Sequence, residues 1–295
     1  MRGHKIVVGG YMTQRDSETA SIEVQRFENG SFISKADRIV TEEPLEIRLA
    51  TAPNLAATRQ SITVTMRTPA NDFELAAGFL FTEGIINDPD SIESISHPAD
   101  EGLENSFNIV EVVFREGRYF DASSVLRNFY TTSSCGVCGK ASLDAVRVNV
   151  SRLPSKYPLK VYPNIVSHLP DKLRDAQALF KNTGGLHASG IFTASGELVS
   201  LREDVGRHNA LDKLIGEQFL ARRVPLNESV LVLSGRASFE LVQKAAVAGI
   251  PMIVAVGAPS TLAVELAQEF DITLVGFAKQ NSFNVYCGME RISYR

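Results

Sequence analysis

Cys135 and Cys138, in Ser133-Ser134-Cys135-Gly136-Val137-Cys138-Gly139-Lys140, are the residues whose type and spacing most invite chemistry. A Cys-x-x-Cys pair can hold a metal, close a reversible disulfide, or present one thiolate that a second thiol resolves. Gly136 and Gly139 leave the cysteines little to pack against, which argues against inert core thiols. A zinc site asks for about four ligands, and only Cys287 and a few histidines remain to complete one. A thioredoxin-like dithiol follows a buried strand, and Asn128–Ser134 does not read as one. A nucleophilic or sulfur-carrying cysteine on an exposed loop fits these residues better. A free thiol titrates near ~8.5, and Lys140 with neighbouring backbone N–H groups would raise its thiolate share. Cys287 is read as structural.

A second group of ionisable residues lies in Arg202-Glu203-Asp204-Val205-Gly206-Arg207-His208-Asn209-Ala210. It sits where a strand ends and a helix begins, a common ligand position in α/β sheets; a solvated surface turn is the plainer reading. Ser234-Gly235-Arg236-Ala237-Ser238 and Gly257-Ala258-Pro259-Ser260-Thr261 each follow a strand and should emerge at one sheet edge. Helix N-termini there would favour anionic oxygens, and Arg236 adds a planar donor fork. Serine at a helix start is routine, so each turn alone says little. With Arg207, the two turns point to a phosphate-bearing ligand. His187, after Gly184-Gly185, is either hydrogen-bonded structure or a group that moves a proton or orients a ligand. Phe277-Ala278-Lys279-Gln280-Asn281-Ser282 mixes aromatic, cationic and amide groups suited to a base and its ribose phosphate, or forms an ordinary polar loop.

These residues need elements to position them. Leu45–Leu49 and Ile62–Met66 alternate like half-buried strands, with Pro53 and Asn54 as turn residues between them. Asn71 and Asp72 can cap a helix whose stripe is Phe73, Leu75, Ala76, Phe79 and Leu80. Phe107–Phe114 reads as a strand, and Pro154, Pro158, Pro163 and Pro170 flank the cysteine segment downstream. A helix is expected over Asp171–Lys181, ended by Gly184. Ile191–Ala194 and Leu198–Leu201 flank a Ser195-Gly196 hairpin turn. Helices over 208–220, 239–248 and 261–270 then alternate with strands over 230–233, 252–256 and 272–275. Such alternation implies βαβ units and a sheet buried on both faces. The fold class is α/β: a smaller α+β domain over 1–130, a cysteine loop and connector over 131–165, and a three-layer α/β domain over 166–295.

The 295 residues are 44% hydrophobic and 22% charged, which supplies a sizeable core. Three cysteines do not make a disulfide framework. A formal net charge of -4 disfavours a surface built broadly for nucleic acid, though it leaves room for a local basic pocket. Ile6-Val7-Val8 is too short for a secretory core, and no apolar run reaches the ~18–20 residues that span a bilayer. A cytoplasmic protein with no membrane and no nucleic-acid partner is expected.

Taken in order, the cysteine segment, Thr183-Gly184-Gly185-Leu186-His187, Arg202–Lys213 and Ser234-Gly235-Arg236 resemble the signatures of the FdhD/NarQ family. The resemblance covers the last two thirds of the chain. It implies a sulfurtransferase that accepts persulfide sulfur from a cysteine desulfurase and passes it to the molybdenum (or tungsten) bis(molybdopterin guanine dinucleotide) cofactor, as formate dehydrogenase apoenzyme requires. By position, Cys135 would carry the persulfide and Cys138 would relay or resolve it. Phe277, Ala278, Lys279, Gln280, Asn281 and Ser282 would form the cofactor-binding segment, with Arg207, His208, Arg236 and His187 nearby, and a GDP-like nucleotide would enter the same site. The resemblance also implies a homodimer and a cytidine-deaminase-like second domain. A zinc deaminase needs His-x-Glu before Pro-Cys-x-x-Cys; here the Cys-x-x-Cys precedes His187-Ala188-Ser189. The remaining alternative is a cofactor chaperone without catalysis.

Overall fold

The computed structural model describes residues 4–8, 11–15, 18–51, 59–98, 106–115 and 159–293. The cysteine pair, the Pro53-Asn54 turn, and Pro154 and Pro158 lie outside the described residues. The chain opens with a four-stranded antiparallel sheet that the sequence reading did not anticipate: β1 (His4–Val8), β2 (Tyr11–Arg15), β3 (Thr19–Glu28) and β4 (Ser31–Val40), paired in that order. The overlooked signal is Asn29-Gly30, whose φ values of 51° and 83° form a tight two-residue turn between β3 and β4.

Next come β5 (Glu43–Thr51), β6 (Arg59–Arg67), α1 (Asp72–Thr82), β7 (Ile92–Ser96) and β8 (Ile109–Phe114). The strands pair in the order β6-β5-β8-β7, with β5 and β8 parallel. α1 forms as expected, yet the Asn71 side chain makes no capping hydrogen bond and its backbone is left-handed at φ 56°. The helix start is held from the next residue instead. Asp72 accepts two hydrogen bonds from the buried Arg67 guanidinium, at 2.9 and 2.8 Å.

The third sheet has six strands in the order β10-β9-β11-β12-β13-β14. They are β9 (His187–Phe192), β10 (Leu198–Asp204), β11 (Val230–Leu233), β12 (Met252–Ala255), β13 (Thr273–Lys279) and β14 (Ser282–Cys287). β11, β12 and β13 run parallel. The helix expected over 171–181 is two helices, α2 (Pro163–Ala176) and α3 (Ala178–Thr183). Pro163 starts the first, where a missing N–H costs nothing, and Pro170, taken as a loop residue, lies inside it. α4 (Arg207–Leu220), α5 (Phe239–Val247) and α6 (Thr261–Glu269) fall close to their expected spans.

Alternation along the parallel strands makes the domain three-layered. Val230, Val232, Met252 and Val254 pack with Val166, Leu169 and Leu173 of α2, while Leu231, Leu233, Ile253 and Ala255 pack with α4, α5 and α6. The second of these cores also takes in Leu75, Leu80 and Phe81 of α1 and Leu45, Ile47 and Val110 of the preceding sheet. Phe81 and Phe219 stack across the junction with ring centroids 4.7 Å apart. No helix among the described residues is long and apolar enough to cross a membrane.

Candidate functional site

Much of the ionisable cluster at the end of β10 is structural. Arg202 donates to Glu74 of α1 at 2.6 and 3.0 Å. The Glu203 carboxylate accepts from the backbone N–H groups of Leu179 and Phe180 at the start of α3. Asp204 is fully buried and pairs with Lys213 at 2.7 Å; burial pushes its carboxyl upward against the pull of that lysine. These three residues tie elements together, and Arg207 and His208 are the members that remain.

Both occupy the first turn of α4, whose Gly206 N-cap supplies no side chain to its N–H groups. His187 begins β9 opposite Asp204 of β10, and its ring lies against Gly235, where an added Cβ would sit 3.3 Å from Nδ1. Burial lowers the His187 pKa, and the charges of Arg207 and His208 lower it further against the opposing effect of Asp204. His187 is therefore neutral at neutral pH. Its neighbour His208 has Nε2 3.4 Å from Ser238 Oγ and 3.8 Å from Glu240. Burial works to raise the Glu240 carboxyl, but His208, its own backbone N–H and Ser238 hold it at about 2.

The two turns after β11 and β12 do emerge together. The Ala237 N–H donates to Ala258 O at 3.2 Å, the Ser260 N–H to Ala237 O at 3.1 Å, and the Gly257 N–H to Gly235 O at 2.9 Å. Ser260 caps α6 in the ordinary way, accepting from the Ala263 N–H. Ser234 Oγ accepts from the Ala188 N–H at 2.8 Å, so it braces β9. Arg236 projects to solvent from the zipped turns.

Beside them opens a cavity of about 530 Å³, within the range of small-molecule sites. His187 and Ser234 line it, together with Val256, Ala278, Lys279 and Gln280; α2 supplies Arg174, and the junction between α2 and α3 supplies Gln177. Ala278 is buried and offers only a wall, whereas Lys279 and Gln280 are exposed at the rim. Phe277 and Asn281 have left-handed backbones, φ 51° and 63°, around the β13–β14 turn, where Ser282 is exposed. Arg207, His208 and Arg236 do not line the cavity; His187 joins their cluster to it.

Sequence reasoning missed the contribution of α2. Gln177 Nε2 is buried at the cavity wall, and Arg207 Nε is buried in the neighbouring cluster at the start of α4; neither has a hydrogen-bond partner among the described residues. An unmatched buried donor is costly, and the one that Gln177 turns to the cavity wall suits a ligand rich in acceptors. Nothing in the local pattern of the α2–α3 junction marks Gln177, because its role depends on a distant strand end. Cys287 sits away from these groups: its Sγ donates to Ile272 O at 3.2 Å, and burial raises its thiol pKa.

The FdhD/NarQ family matches residues 40–293. The sulfur carrier protein of that family from Streptomyces avermitilis is 49% identical over 275 residues, covering 92% of this chain and 95% of the relative. The one from Sulfolobus acidocaldarius is 42% identical over 271 residues, covering 92% and 97%. A solved structure from Desulfotalea psychrophila, provisionally assigned as a formate dehydrogenase accessory protein, superposes with a TM-score of 0.71. It covers 94% of this chain and all of that one at 23% identity, a likeness of fold.

Proposed function

Because the chain belongs to the FdhD/NarQ family, we propose that it is a cytoplasmic sulfurtransferase serving formate dehydrogenase. Cys135 takes the terminal sulfur of a cysteine desulfurase persulfide: a sulfur–sulfur bond to Cys135 forms, the donor's breaks, and the donor cysteine leaves as its thiolate. The sulfur then passes to a molybdenum or tungsten bis(molybdopterin guanine dinucleotide) bound as substrate, before that cofactor enters the formate dehydrogenase apoenzyme: the sulfur–sulfur bond breaks, Cys135 leaves as its thiolate, and the reduced metal of the substrate gives the two electrons that make the outer sulfur sulfide. Cys138 relays or resolves the persulfide, and the working unit is a homodimer.

The observation that carries this reading is the cavity at the strand ends. Its rim cation Lys279, the cation Arg174 and the unmatched donor of Gln177 suit the phosphates and base of one guanine nucleotide arm. Arg207 adds positive charge, and the start of α4 uncapped helix N–H groups, next to it. His187, neutral and set between them, orients the ligand or moves a proton. A persulfide that must reach two large partners belongs on a loop, and the cysteine segment has the composition of one.

The test is mass spectrometry after incubation with a desulfurase and cysteine. Wild type gains one sulfur on Cys135, while Cys135→Ala gains none and still binds GDP. An undiminished adduct on the variant overturns the assignment.

A further inference from the structure

We propose that the free edge of β4 is the surface on which a second copy of this chain docks, as an antiparallel β4–β4 pair centred on Ala36. β4 is the edge of its sheet and pairs only with β3 among the described strands. Nine of its ten residues are exposed, including Phe32 at 70%, Ile33 at 44% and Ile39 at 40%. An exposed edge of this length is a template for another strand.

The turn fixes which groups face outward. Glu28 and Ser31 close the two-residue hairpin as a hydrogen-bonded pair. Alternation from there turns the N–H and C=O groups of Phe32, Ser34, Ala36 and Arg38 to the free edge. The Arg38 N–H is met there by its neighbour, Asp37 Oδ1, at 3.0 Å, a local substitute for a missing strand.

The occupant follows from charge. A two-fold axis normal to the sheet through Ala36 sets Lys35 opposite Asp37 of the copy and Asp37 opposite its Lys35. It also sets Ile33 opposite Ile39, and Ile39 opposite Ile33, on the same face. Every facing pair on this face is matched, apolar to apolar and cation to anion, which is the self-complementarity an isologous contact needs; on the other face Ser34 meets Arg38 and Ala36 meets Ala36. Neighbouring symmetric registers fail. Centring on Lys35 opposes two lysines and puts Asp37 against Ile33; centring on Asp37 opposes two aspartates and puts Lys35 against Ile39. Since like charges directly opposite destabilise a pair of strands, one register is selected.

This surface belongs to the homodimer of the proposed function but needs none of its sulfur chemistry. Light scattering on the full chain at tens of micromolar should give a dimer. Lys35→Asp should raise the dissociation constant about tenfold or more by opposing two carboxylates twice, and Lys35→Asp with Asp37→Lys should restore the dimer. Ala36→Cys should form a covalent dimer under oxidation, because facing Cα atoms about 5.5 Å apart lie within disulfide reach. A monomeric wild type, an unaffected Lys35→Asp, or an Ala36→Cys that stays uncrosslinked overturns the proposal. Sulfur loading of Cys135, measured on the same variants, reports separately on the function.

Discussion

Gly78 of α1 and Gly216 of α4 meet where the two helices cross, so closely that a Cβ on Gly78 would lie 1.9 Å from Asp212 O and one on Gly216 would lie 1.9 Å from Glu74 O. These atoms are backbone, so neither helix can yield without moving whole. Gly78→Ala or Gly216→Ala should cost about 1–3 kcal/mol or more through overpacking. Thermal unfolding checks it; an unchanged Tm for both would show that the helices do not cross there.

Lys244 of α5 is buried with its Nζ 3.0 Å from Asp212 and 3.2 Å from Glu83, and it donates to Thr82 Oγ1 at 2.9 Å. Burial alone would lower the lysine pKa, but the two carboxylates lift it. Lys244→Met strands Asp212 in the core and should destabilise by about 3–5 kcal/mol. Adding Asp212→Asn should recover part of that loss, since the two changes share one interaction. Urea midpoints of the three variants measure the coupling, and strictly additive losses would refute it.

Glu240 predicts an acid dependence. Its carboxyl is at about 2 in the fold against an ordinary 4.5. The folded value is depressed, so this contribution to stability is complete above 4.5 and is lost as pH falls toward 2. Glu240→Gln should therefore flatten the decline in urea midpoint between neutral pH and pH ~3. A variant with the wild-type slope would mean that His208 and Ser238 do not hold the carboxylate.

GDP affinity should fall about tenfold in Lys279→Ala, a loss typical of one charge-assisted contact, and should weaken with added salt. Because His187 is neutral at neutral pH, wild-type affinity should stay flat there and strengthen only in acid, as the ring gains charge. His187→Asn should abolish that acid rise. Calorimetric titrations across pH decide it, and a rise centred on the ordinary histidine range would contradict a lowered pKa.

The helices and parallel strands of the second half were legible because their apolar periods are local. The meeting of the two turns was also legible, since successive parallel strands deliver their loops to one edge. Other features depended on partners far along the chain. Arg202, Glu203 and Asp204 look like a reactive cluster in sequence, and only Glu74, α3 and Lys213 reveal them as struts. Gln177 carries no local mark for the same reason. In the β3–β4 hairpin only β3 alternates, with half-buried Ile22 and Val24 between exposed Glu23 and Gln25, whereas β4 is exposed on both faces and has lost the usual burial alternation; Asn29-Gly30 is the cue that joins them.

The apolar core shared by α1 and the helices behind β11 and β12 has a consequence for synthesis. Leu75, Leu80 and Phe81 leave the ribosome more than a hundred residues before Leu211, Leu214 and Phe219, against which they pack. At about 5–20 residues per second, the nascent α1 waits many seconds with its inner face uncovered. A chaperone that shields short apolar helices should therefore bind this chain while translation is under way, and release it once residue 220 has emerged.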